Sequence, residues 1–93
     1  MANKTQGVYE LVSEVLKTFS EPYGADIIED VCLRIENRPP WRRRYEELKN
    51  ELTRDVVNNW IGRYTKQITG LKTVLEVDAK RSEIIGSYTK LRS

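Results

Sequence analysis

Two amides and two cations gather on one side of a single stretch, residues 53–70, TRDVVNNWIGRYTKQITG: Asn58, Asn59, Arg63 and Lys66, wound around Gly62. A carboxamide can make paired hydrogen bonds to an adenine edge and a cation can neutralise a phosphate, so these residue types suit nucleic-acid recognition. The same set also makes an ordinary solvated helix face. Two further basic groups extend the inventory. Arg42, Arg43 and Arg44 are consecutive, and either contact phosphate or pair with Glu46 and Glu47 at helical spacing. Three successive helical residues splay over nearly a full turn, so they cannot all point one way. Lys80 and Arg81 lie in a polar stretch between two β-prone segments, where they form either a solvated turn or a tip that reaches a nucleic-acid backbone.

Other chemistries have little to be built from. The chain holds no histidine and one cysteine, Cys32, so a zinc site or a Ser/His/Asp or Cys/His constellation has no components. Cys32 falls on an apolar helical stripe and reads as a small core residue. Acidic residues are numerous, but no paired motif with metal-loop spacing and no phosphate-cradling Gly spacing appears. No enzymatic activity and no cofactor are expected.

At 93 residues the chain has room for one domain with one modest core. Its 39% hydrophobic and 32% charged composition suits a soluble globular domain. No apolar run approaches the roughly 20 residues that span a bilayer. The start, MANKTQGVYELV, has no apolar export region, so a cytoplasmic address without a membrane partner is expected. The net charge of +2 hides a division. Residues 1–37 carry 3 basic against 7 acidic side chains, a net −4, while residues 38–93 carry 13 against 7, a net +6. A basic half containing the 53–70 stretch can supply a phosphate footprint; such asymmetry also serves solubility or head-to-tail association.

The positioning elements follow from hydrophobic spacing. Val8, Leu11, Val12, Val15, Leu16 and Phe19 repeat with helical period and are stopped by Ser20-Glu21-Pro22. Ile27, Ile28, Val31, Cys32 and Ile35 form a second stripe, ended before Arg38-Pro39-Pro40. Both helices read as scaffold, with Glu29, Asp30 and Glu36 on their exposed faces. Pro40 suits the first turn of a third helix carrying Trp41, Tyr45, Leu48 and Leu52. Thr53 is placed to cap a fourth, with Asp55 complementing its dipole, and the stripe Val57, Trp60, Ile61, Tyr64 and Ile68 faces the core. Gly70 suits the residue just past that helix. Trp60, Ile61 and Tyr64 should be largely buried, together with Val12, Leu16, Ile28, Val31 and Leu48.

Tyr45-Glu46-Glu47-Leu48, then Leu52, then Val56-Val57-Asn58-Asn59-Trp60-Ile61 resembles the helix-turn-helix of DNA-binding regulators, over about residues 41–70. Between Leu52 and Val57 the chain lacks the Gly-containing turn common in that family and is about two residues shorter. The resemblance implies that residues 53–69 form a recognition helix in the major groove. Asn58 and Asn59 would then face adenine, and Arg63 and Lys66 the phosphates.

Beyond Gly70 the composition changes. KTVLEV (residues 72–77) and EIIGSYT (residues 83–89) are rich in β-branched and aromatic residues and read as a β-hairpin over about residues 72–89, with Thr73 to Val77 pairing near Ile84 to Tyr88. Ile84, Ile85, Tyr88 and Leu91 also fit a helix from about Ala79. A hairpin after a helix-turn-helix is the order of winged-helix domains, in which Lys80 and Arg81 would occupy the wing tip. The expectation is thus a mainly α, small helical domain with a helix-turn-helix-like pair and a C-terminal β-hairpin. The expected activity is duplex DNA binding by a small transcription regulator. The rival reading is a protein-interaction module anchored by an exposed Trp41, Tyr45 or Tyr23. Cations sharing one face would favour DNA. Cations scattered among carboxylates beside a bare apolar patch would favour a protein partner.

Overall fold

The apolar stripes of the first two segments wind into α1 (Gln6–Leu16) and α2 (Ile27–Asn37) in a computed structural model that describes residues 4–78 and 82–92. α1 buries Val8, Leu11, Val12, Val15 and Leu16, as their spacing requires. It ends earlier than Pro22 would force. After Leu16 the chain tightens, Thr18 N–H donating to Val15 O at 3.0 Å and Phe19 N–H to Leu16 O at 3.1 Å. The third helix, α3 (Pro39–Leu52), starts on its two prolines, where missing N–H groups cost no intrahelical bond. α4 (Arg54–Thr69) follows after one residue, and a strand pair completes the order: β1 (Lys72–Asp78) and β2 (Ser87–Arg92).

α1 lies against α4, and α2 packs on α3, α4 and β2. The shared core is built from the buried stripes of α1, α2 and α4, with Tyr45 from α3 and Tyr88 and Leu91 from β2. Within α4 the buried stripe is Val57, Ile61, Tyr64 and Thr65. This line is rotated slightly from the expected one. Trp60 therefore sits at its edge, partly rather than largely buried, with its ring 5.0 Å from that of Tyr64. Thr65 takes the interior place because its hydroxyl donates to Ile61 O at 2.7 Å, which satisfies the one polar atom it brings inside. Leu48 is likewise only partly covered, and Glu29, expected on an exposed face, is buried.

Thr53 alone turns the chain between α3 and α4. Its φ of 87° and ψ of 154° lie where glycine is the natural residue, so the missing Gly-containing turn is replaced by a strained β-branched one. Its hydroxyl accepts from Val56 N–H at 3.5 Å, a long cap. Gly70 closes α4 at φ 72°, the left-handed conformation that a side chain would resist.

β1 and β2 pair antiparallel, from Lys72 with Arg92 to Asp78 with Ser87, with an extra residue on β1 between Thr73 and Leu75. The expected hairpin is present, but its second strand starts at Ser87 rather than Glu83. The reason is packing. Successive strand residues point to opposite faces, so a strand through Ile84 and Ile85 would expose one of them. In the irregular segment before Gly86 both are buried, at 4% and 7% exposure. The alternative helix does not form over residues 82–92.

Candidate nucleic-acid interface

α4 supplies one wall of a cleft. With its apolar stripe turned inward, Asn59, Arg63 and Lys66 are exposed on the outer side. β2 supplies the other wall and is fixed from behind. Leu91 N–H donates to Ala25 O at 2.8 Å, and the Tyr88 hydroxyl donates to Asp26. Burial, then hydrogen bonds to Asp26 and Glu29, raise the Tyr88 phenol well above its ordinary pKa, so this tie carries a neutral hydroxyl. Ser87 and Thr89 of β2 and Thr73 of β1 line the cleft opposite α4, which encloses about 250 Å3 over Ile28, Ile85 and Leu91. Gly62 also lines the cleft, beside Ile28, whose Cδ1 lies at an ordinary contact distance of 4.0 Å from where a Cβ would stand. Toward the N-terminus of α4 the cleft runs into a wider hollow of about 640 Å3, between Arg54, Asp55 and Asn59 on one side and Asp78, Gly86 and Ser87 on the other. The groove is therefore polarised, basic at Arg63 and Lys66 and mixed at Arg54, Asp55 and Asp78.

The residues singled out from sequence separate into three groups. Asn59, Arg63 and Lys66 share the groove, with the Arg63 guanidinium 5.2 Å from the centre of the Trp60 ring. Asn58 borders it but is spoken for. Its amide N–H donates to Ile84 O, and its carbonyl accepts from the Tyr45 hydroxyl at 2.7 Å, so it brackets α3, α4 and the approach to β2. Those two bonds fix the amide's orientation and take up one of its two N–H donors and one of its two acceptor sites. The Tyr45 phenol is itself pushed upward by burial, opposed in part by Arg54.

The arginine triplet splays as helical geometry demands. Arg42 pairs with Glu83 at 3.3 Å, Arg44 pairs with Glu14 on α1, and Arg43 is exposed. The expected partners Glu46 and Glu47 are not those used: Glu46 pairs with Lys49 at 2.7 Å. Lys80 and Arg81 lie outside the described residues. Cys32 is buried, its thiol held well above the ordinary value by burial and then by Glu36 and Glu29, so it stays protonated within the core. Among the described residues no group of three or more His, Cys, Asp or Glu side chains is placed to hold a metal ion. No helix is long and apolar enough to cross a membrane.

Four groove residues escape a sequence reading centred on cations. Arg54 donates to Glu83 O at 3.1 Å at the groove's far end, and Thr73, Ser87 and Thr89 present hydroxyls. The alternation Ser87-Tyr88-Thr89 carried a signal, polar residues two apart around a buried ring, but it becomes legible only with the strand start at Ser87. No protein-family model matches the chain, and neither does any curated protein or solved structure. The likeness to helix-turn-helix proteins rests on the residues quoted for it.

Proposed function

We propose that this protein binds duplex DNA as a small transcription regulator, α4 entering the major groove while the hairpin follows the adjoining backbone. One observation carries the reading: two cations of α4, Arg63 and Lys66, and three hydroxyls of the hairpin, Thr73, Ser87 and Thr89, line the same cleft. A phosphate accepts from both kinds of donor, so a backbone strand passing between helix and hairpin meets partners on both walls. Asn59, one turn before Arg63, is the amide left for a base edge, because Asn58 is committed to Tyr45 and Ile84. The order α3, tight turn, α4, hairpin is that of winged helix-turn-helix proteins, and it supports the same docking.

This reading distinguishes groove cations from paired ones. In an anisotropy titration with labelled duplex, Arg63→Ala and Lys66→Ala should each weaken binding and lower the salt slope by about one, whereas Arg42→Ala and Arg44→Ala should leave the slope unchanged. Asn59→Ala should cost about 1–3 kcal/mol at the preferred site and little elsewhere. Absence of salt-dependent binding even near 50 mM salt would sink the proposal.

A protein partner is favoured by a different observation, the exposure of Val74 and Leu75 on β1. Its expected anchors change. Tyr45 is 3% exposed and hydrogen-bonded, and Trp41 and Tyr23 are partly covered, so an apolar contact would come from the hairpin.

A further inference from the structure

The outer edge of β1 is the least covered part of the fold. β2 closes one edge of the strand pair against the helices, through Leu91 N–H on Ala25 O, while β1 has β2 on one side and, among the described residues, no further strand on the other. Along β1, Val74 and Leu75 are 50% and 60% exposed, whereas Val77, the third apolar residue of the strand, is partly covered. Natural edge strands are commonly guarded by charge at such positions. The extra residue, Val74, is one guard, since a bulge twists an edge away from flat partners, but Val74 and its neighbour Leu75 are both apolar and exposed, the opposite of a guard.

We infer that β1 pairs antiparallel with β1 of a second copy of this chain, about a two-fold axis through Leu75, to give a four-stranded sheet. The charge order of the strand selects this occupant. β1 reads Lys-Thr-Val-Leu-Glu-Val-Asp, basic at its start and acidic at its end. Antiparallel pairing centred on Leu75 sets Lys72 of each copy opposite Asp78 of the other, with the two Leu75 side chains meeting at the axis. Parallel pairing would set like charges together, which disfavours it. The interface leaves Asn59, Arg63 and Lys66 of α4 free, while Thr73 and Asp78 belong both to β1 and to the walls of the groove and its hollow.

Sedimentation equilibrium of the full chain tests this. The wild-type protein should show a concentration-dependent monomer–dimer equilibrium. Leu75→Lys should be monomeric over the same range with an unchanged far-UV circular dichroism spectrum, which separates loss of pairing from loss of fold. Lys72→Asp should weaken the dimer about tenfold, because each copy then sets Asp against Asp. Adding Asp78→Lys to Lys72→Asp should restore it. A wild-type chain that stays monomeric throughout, a Leu75→Lys dimer as tight as the parent, or a Lys72→Asp defect that Asp78→Lys fails to repair would each overturn the inference.

Discussion

Each of the four helices buries at least one side chain in the common core, α3 through Tyr45 alone, whereas β1 exposes six of its seven residues and only partly covers Val77. The helical body is held by side chains. β1 is held by its backbone ladder to β2, which is itself pinned by Tyr88, Leu91 and the bond to Ala25. The contrast explains how one small chain can present both a polar helix face and an open strand: the helical interior forms a platform to which β2 is fastened by two buried side chains, Tyr88 and Leu91, and β1 by β2.

The comparison breaks most visibly in the core. Ile61 is fully buried in α4, so Ile61→Ala should cost about 2–5 kcal/mol in urea unfolding, while Leu75→Ala on β1, at concentrations where the chain is monomeric, should stay within about 0.5 kcal/mol. Equal losses would mean that β1 is covered in the folded state. Asn58→Ala tests the joint between the two regions. Removing its side chain strips a partner from both the Tyr45 hydroxyl and Ile84 O, and should lower stability by about 1–3 kcal/mol. An unaffected midpoint would return Asn58 to the solvated face and make it available again to a base. A smaller effect than either loss belongs to the turn. Thr53→Gly relieves a conformation costing about 1–3 kcal/mol, against glycine's entropic cost of roughly 0.5–1 kcal/mol and a weak cap, so a net gain of about 1 kcal/mol is expected. Thr53→Ala keeps the strain and loses the cap, and should lose stability in the same assay.

Helix positions were legible because a 3.6-residue period concentrates apolar residues on one side, and the stripes of α1 and α2 sit in the core as their spacing requires. Period alone left the width of a stripe open. Trp60 stands at an edge and Thr65 takes the centre because a hydroxyl bonded to its own helix is cheap to bury. The hairpin was legible in type but not in register, since Ile84 and Ile85 carry β-prone side chains yet pack as an irregular segment against the helices. At the candidate site, cation positions were legible and cation partners were not. Glu83 and Glu14 are 41 and 30 residues from the arginines they meet, a separation no local pattern encodes. The partners of Asn58 were hidden for the same reason, Tyr45 lying across the turn and Ile84 in the segment that leads into β2.

Amide chemical-shift mapping during titration with a duplex at low salt probes the α4 and hairpin groove most directly. The account predicts perturbations on both walls at once, at Asn59 to Lys66 of α4 and at Thr73 and Ser87 to Thr89 of the hairpin, with α1 and the outer residues of β1 unchanged. Perturbations confined to Val74, Leu75 and their neighbours, or centred on Arg42 to Arg44, would contradict it.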